Sequence, residues 1–269
     1  MSPGLHAEHL SYRIGDRVLV DDVTVAAEPG EVIAFVGPNG AGKSTLCALL
    51  AGDLQPSSGV VRLDGRRLDN WNRRELARQR AVLPQVPHVS GSFDVDDIVA
   101  MGRHPWTNGS RIDAMGDADL ARASLAEVDA AHLTGRLWST LSGGERARVA
   151  LARVLVQGAP VLLLDEPTAS LDLRHQHLVG TIARRRADAG AVVIVVLHDL
   201  TLAAAYADRA LAMADGRVVA DGPITEVLTE ALLTDLYRIP VNVADHPSQH
   251  WKVPVASRSE NVIDVREPY

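Results

Sequence analysis

The chain has 269 residues, a formal net charge of −7, 46% hydrophobic but only 4% aromatic residues, and a single cysteine. That length fits one large α/β domain or a core with a subdomain, and the apolar share is ample for an aliphatic interior. The acidic balance argues against a broad nucleic-acid surface, and one cysteine, Cys47, excludes an internal disulfide framework and fits a reducing compartment. No apolar run approaches the roughly 18–20 residues that span a bilayer; the longest, Ala191 to Leu197, is strand-sized. Met1-Ser2-Pro3-Gly4 has neither the charged nor the apolar region of a signal peptide. The expectation is a soluble protein that stays inside the cell and meets a membrane only through a partner.

Short alternating segments come first, at Leu5–Tyr12, Val18–Val25 and Val32–Val36, with another at Val60–Leu63 after the turn Pro56-Ser57-Ser58-Gly59. Leu46–Ala51 reads as a helix ending at Gly52, and Cys47 on it reads as a small core residue. Arg73–Gln79 is predicted helical and Ala81–Leu83 a strand. From about Pro87 to Leu137 the character changes: Asp94–Met101 and Asp117–Val128 carry apolar residues at helical spacing, with aspartates near their starts. No strand signal interrupts this stretch, which predicts an inserted helical subdomain. Helix Gly144–Gln157, strand Val161–Leu164, helix Leu173–Ala189, strand Ala191–Leu197 and helix Leu200–Tyr206 then alternate, as in a mainly parallel sheet covered on both faces. A helix signal spans Thr225–Tyr237, and the tail with Pro240, Pro247, Pro254 and Pro268 reads as irregular. Arg184-Arg185-Arg186 reads as a solvated helix face, and His175 and His177 as surface histidines whose i,i+2 spacing puts them on different faces.

Chemistry concentrates first in Gly37-Pro38-Asn39-Gly40-Ala41-Gly42-Lys43-Ser44-Thr45, which lies between a predicted buried strand and a predicted helix. This is the strand–loop–helix context that a phosphate-binding loop requires. Its glycines let backbone amides turn toward an anion, and the helix start adds unpaired N–H groups and partial positive charge. Lys43 is placed to reach the outer phosphates of a nucleoside triphosphate and Ser44 to coordinate Mg²⁺. The second signal is Val161-Leu162-Leu163-Leu164-Asp165-Glu166-Pro167. It sets two carboxylates at the C-terminal edge of a parallel sheet, where ligands bind in such folds. Asp165 is the candidate for Mg²⁺ and Glu166 for accepting a proton from an attacking water.

The third is Leu141-Ser142-Gly143-Gly144-Glu145, an N-cap serine and two glycines at a helix start. Together with the two motifs above, it makes the chain resemble the ATP-binding subunits of ABC transporters, from the N-terminal strands to about Tyr237. The resemblance implies an α/β fold with a P-loop NTPase (RecA-like) core: a mainly parallel sheet, N-terminal antiparallel strands and the inserted α-helical subdomain. The implied division is a core of residues 1–86 and 138–222, a helical subdomain of 87–137 and a C-terminal extension of 223–269. It further implies that Tyr12 stacks on adenine, that Gln85 senses the γ-phosphate and the metal, that Ser170-Leu171-Asp172 crosses a dimer interface, and that His198 holds the γ-phosphate and the attacking water. ATP and Mg²⁺ are the implied cofactors. Two copies would pair head to tail, each ATP lying between one Lys43 loop and the other copy's Ser142, Gly143, Gly144 and Asp172. Two transmembrane permease subunits and, indirectly, a substrate-binding protein complete the implied assembly at the cytoplasmic face of the membrane.

Within that family, Asp97–Trp106 resembles importers of iron chelates, haem and cobalamin. Trp71 with Leu76–Gln85, Leu197–Arg209 and His246-Pro247 are similar to haem importer ATPases, with siderophore or cobalamin import as the alternative. The signature ends in Glu145 where glutamine is frequent. No residue of such a subunit need touch the transported molecule, so no haem site is assigned among the 10 histidines. ABC-type ATPases that act on nucleic acid or ribosomes are the rival class. The interval between Gln85 and the signature has no sustained heptad pattern, and the chain carries one cassette, which speaks against them.

Overall fold

The computed structural model describes residues 4–87, 89, 91–107, 114–246 and 251–256. The expectations that concern Met1–Pro3, Pro247 and Pro268 lie outside the described residues.

Strands β1 (Leu5–Ile14) and β2 (Arg17–Ala27) form a hairpin, followed by β3 (Val32–Val36), helix α1 (Lys43–Ala51), β4 (Ser58–Leu63) and the short β5 (Arg66–Arg67). Helix α2 (Arg73–Gln79) leads into β6 (Arg80–Leu83). Helices α3 (Val95–Ala100) and α4 (Ala114–Glu127) come next, then α5 (Gly143–Val156), β7 (Val161–Asp165), α6 (Leu173–Asp188), β8 (Val192–Val196) and α7 (Leu200–Tyr206). The chain ends its described part with β9 (Arg209–Ala214), β10 (Arg217–Pro223), α8 (Ile224–Val227), α9 (Glu230–Tyr237), β11 (Val241–Asp245) and β12 (Lys252–Ala256).

Two sheets organise these elements. The larger has the order β10-β9-β3-β8-β7-β6 and is parallel except for β10 at one edge. The smaller, β2-β1-β4-β5, is antiparallel. Side chains alternate across a strand, so the larger sheet feeds two separate cores. Ile33 and Phe35 of β3, Leu163 of β7 and Ile194 of β8 pack with α1 and the antiparallel sheet. Val32, Ala34, Leu162, Leu164 and Val193 pack the other way, against α5, α6 and α7, in a cluster that continues through Ile98, Val99, Leu125 and Leu133. Strands buried on both faces explain why Val192–Val196 reads as a continuous apolar run. Among the described residues between 89 and 137 the backbone makes no strand, only an isolated bridge from Asp94 to Leu137.

Several expectations are corrected. A hairpin, β9–β10, occupies 209–223, where the sequence reading placed no element; Asp215 and Gly216 both take positive φ (48° and 79°), as a tight two-residue hairpin turn requires. The helix predicted at Thr225–Tyr237 is two helices, α8 and α9, separated at Leu228, because Thr229 caps α9 with its side chain instead of continuing α8. The tail is not irregular throughout: β11 and β12 pair antiparallel, Val241 opposite Ala256. Arg184-Arg185-Arg186 is not a free solvated face. Arg184 binds Asp188, Asp208 and the Gly30 carbonyl, while Arg185 and Arg186 both grip Glu127 at the end of α4. His175 and His177 are half-buried, His175 beside Asp172, Asp129 and Arg148 and His177 against the Tyr206 hydroxyl. Their separate partners agree with the two faces expected.

Candidate functional site

The phosphate loop leaves β3 at its C-terminal end. At Gly37 (φ 141°) an added Cβ would collide with the Met213 carbonyl oxygen, and at Gly42 (φ 99°) with that of Leu19, so neither position tolerates a side chain. The loop therefore lies flat on the backbones of β9 and β2. Helix α1 then starts without a side-chain cap and without an acid in its first turn. Its first amides are left to whatever fills the space in front of them. Lys43, 5% exposed, donates to the carbonyls of Gly37 (2.7 Å) and Pro38 (2.8 Å). Burial pushes its ammonium below the ordinary lysine value, against the opposing pull of Glu166 and then Asp165.

Strand β7 delivers the acids to the same edge. The Ser44 hydroxyl donates to Asp165 Oδ1 at 2.9 Å, joining the loop to the strand end. Burial raises the Asp165 carboxyl above the ordinary aspartate value; the Ser44 hydrogen bond partly offsets this, and the neighbouring Glu166 charge adds to it. Glu166 follows in the left-handed region, φ 48°, an uncommon conformation for a residue with a Cβ. Its carboxylate is held on both oxygens. His198 Nε2, just past β8, lies 2.7 Å from Oε1, and Gln85 Nε2, just past β6, donates to Oε2 at 2.8 Å. Three strand ends thus converge on one carboxylate.

These groups surround a cavity of about 430 Å³ lined by Arg17, Leu19, Asn39, Gly40, Ala41, Gly42, Lys43, Ser44, Thr45, Gln85, Glu166 and His198. A cation, a row of helix-start amides, a hydroxyl and a braced carboxylate around one space suit a phosphate chain and an in-line water. Gly37, Pro38 and Asp165 do not line this cavity; they bind Lys43 and Ser44, which do. Tyr12 does not line it; it is half-buried against the core beneath the antiparallel sheet. Arg17 and Leu19 of β2 form that wall instead, and sequence reasoning missed both, since no motif marks them.

The signature residues do not line this first cavity. Ser142 caps α5 in a reciprocal box: its hydroxyl accepts the Glu145 amide (3.3 Å), and Glu145 Oε2 accepts the Ser142 amide (2.7 Å). Those bonds and Arg136 at 3.0 Å keep the Glu145 carboxyl below its ordinary value. Gly143 lines a second cavity of about 220 Å³, shared with Gln85, Glu166 and Ser170, whereas Ser142 and Gly144 line neither cavity. Asp172 caps α6, accepting from the His175 amide at 2.9 Å, and its side chain lies 2.7 Å from His175 Nδ1. It too is away from Lys43.

Residues 20–169 match the sequence profile of the family described as ABC transporter. The hemin import ATP-binding protein HmuV of Nocardia farcinica is 56% identical over 231 residues, covering 86% of this chain and 80% of that one. The protein of the same name from Streptomyces coelicolor is 53% identical over 250 residues, covering 93% and 89%. Among solved structures, an ABC transporter described as metal-chelate type, in an inward-facing conformation, superposes with a TM-score of 0.80 at 25% identity, covering 96% of this chain and 98% of that one. With a phosphate loop, strand-end acids and a capped signature helix all in their expected order, the chain belongs to the ABC transporter family as one of its ATP-binding chains.

Proposed function

We propose that this chain is the ATP-hydrolysing subunit of a hemin importer. The carrying observation is the clasp on Glu166: a carboxylate at a strand end, fixed by Gln85 and His198, facing the cavity that Lys43 closes. In this reading Lys43 exchanges the Gly37 and Pro38 carbonyls for the outer phosphates of ATP, and the α1 amides receive the phosphate oxygens. Glu166 orients and deprotonates the attacking water, and His198 steadies the γ-phosphate from the adjoining strand. Tyr12 is proposed for the adenine side.

The donors near the phosphates are all oxygens: the Ser44 hydroxyl and the Asp165 carboxylate, 2.9 Å apart, with the Gln85 amide nearby. Mg²⁺ takes few protein ligands and completes its shell with water and phosphate, so this small hard donor set fits it. Ser44, Asp165 and Gln85 would hold the ion, which when bound neutralises charge on the phosphates.

Ser142, Gly144 and Asp172 lie off their own chain's nucleotide cavity, which supports a head-to-tail pair in which each copy completes the other's site. Two permease subunits would anchor that pair at the cytoplasmic face of the membrane, with a substrate-binding protein acting beyond them. The described residues contain no helix long and apolar enough to cross a membrane, which is consistent with a peripheral place. Hemin as cargo rests on the hemin import relatives. The test is growth on hemin as sole iron source with and without the gene, followed by uptake in vesicles carrying the permease complex. ATP-dependent hemin uptake is expected. Uptake of ferric siderophore or cobalamin without hemin would overturn the substrate assignment and leave the ATPase reading intact.

A further inference from the structure

The C-terminal extension touches the phosphate loop. The Gly37 amide, first of the loop, donates to the Tyr237 hydroxyl at 3.1 Å, across 200 positions of sequence. The carbonyl of the same residue accepts from Lys43 Nζ at 2.7 Å. The two peptide planes flanking Gly37 are therefore held by different groups, one by the extension and the other by the lysine. Gly37 cannot relax toward β9, because its backbone already rests on the Met213 carbonyl.

Tyr237 reaches the loop from outside the nucleotide cavity. It lines a separate space of about 600 Å³ behind Pro38 and Asn39, and Asn39 is common to both cavities. The tyrosine itself is firmly mounted. Leu233 of α9 is fully buried, Leu236 and Tyr237 pack against the same core, and the Thr229 side chain caps the helix. Strand β11 braces α9 from beyond: the Val241 amide donates to Thr234 Oγ1 (3.1 Å) and the Val243 amide to Glu230 Oε1 (2.9 Å). Strand β12 packs against α7, the helix that follows His198. A half-buried hydroxyl at the end of so rigid a mount favours a partner, and among the described residues the loop amide is the one it has.

We propose that Tyr237 is a positioning residue for nucleotide binding, fixing the Val36–Gly37 peptide so that the loop stays open to the phosphates when Lys43 releases the Gly37 carbonyl. The inference rests on the nucleotide reading of the loop. Without the hydroxyl, the Gly37 amide would be buried and unpaired, so the free loop would settle into another shape that satisfies it. Binding would then have to reverse that change. An energy required before binding, and not in the transition state alone, raises KM and leaves kcat in place.

The test is Tyr237→Phe in the full chain, which keeps the ring and its packing. Affinity is measured with a fluorescent ATP analogue, KM and kcat with the permease complex, and hydrogen exchange at the Gly37 amide. Kd and KM are expected to rise about three- to tenfold, the scale of one ordinary hydrogen bond, with kcat unchanged within about twofold and faster exchange at Gly37. Unchanged Kd and KM would overturn the proposal, including the case where only Tm falls, since that outcome assigns the hydroxyl to stability alone. Failure of the unsubstituted chain to bind the analogue would instead overturn the nucleotide reading itself.

Discussion

Helices α1 and α5 both begin in glycine-rich turns, yet their first amides are treated in opposite ways. At α1 the N-cap is Gly42 with no side chain to offer, the first turn holds no acid, and the first helical residue is a buried lysine. At α5 the N-cap is Ser142, Glu145 returns the hydrogen bond, and Arg136 holds Glu145 in place. The first helix start is left electrostatically unfinished, facing its own chain's cavity; the second is largely satisfied by its own residues and does not line that cavity. A helix start becomes an anion site when its amides lack an internal partner. On the proposed reading, α1 would hold phosphate by itself, whereas α5 would contribute only when a second copy brings a phosphate to it.

Lys43→Ala attacks the unfinished end and has the largest expected effect. Removing the buried lysine of the phosphate loop should lower ATP turnover about a thousandfold, on the scale of losing a preorganised donor to transition-state charge. Steady-state phosphate release checks this, with circular dichroism to confirm the fold. Turnover near the unsubstituted level would show that the amides of α1 suffice alone. Glu166→Gln should come next, slowing turnover about a hundredfold or more while ATP binding persists, because the replacement loses the base but keeps the shape. Light scattering should then find a doubled mass with ATP; a variant that stays monomeric even with its permease partner contradicts the shared site.

Ser142→Ala sharpens the comparison from the other end. Loss of the cap costs about 1 kcal/mol, or a Tm lower by about 2–4 °C in a chain of this size. ATP affinity of the isolated chain should not change, because Ser142 is not on its cavity, while turnover of the assembled transporter falls. Equal loss of affinity in the isolated chain would mean that both helix starts serve one site, and the contrast drawn above would fail.

How much of this was legible in the sequence follows the same division. The loop 37–45 and the acids 165–166 are contiguous runs in which chemistry dictates residue type, so the sequence reading located them and the structure brings Lys43, Ser44, Asp165, Glu166, Gln85 and His198 together. The walls were not legible. Arg17 and Leu19 enter the cavity through hairpin geometry, and Tyr237 meets Gly37 through the packing of a distant helix. The β9–β10 hairpin could have been found from Asp215-Gly216, a tight-turn signal overlooked because the alanines before it lack β-branching. The arginine run 184–186 looked solvent-facing because Glu127, its main counter-charge, is about sixty positions away and on another helix.

The smallest expected effect concerns stability, and it separates the cost of the site from its use. Burial raises the Asp165 carboxyl above its value in the unfolded chain. Between the ordinary aspartate range and that raised value the folded chain binds more protons than the unfolded one, so stability falls as pH rises through this window. Above it the penalty is complete. Asp165→Asn keeps an oxygen that can accept the Ser44 hydroxyl and removes the charge. In the nucleotide-free chain Tm should therefore rise at neutral pH, and the gain should shrink toward acid, where the unsubstituted carboxyl is itself protonated. Turnover should be lost in the same variant. Thermal melts of both chains from pH 4 to pH 8 decide it: a lower Tm for the variant at neutral pH would mean that Lys43 draws more from the Asp165 charge than burial takes away, and that the loop is held shut by its own acids.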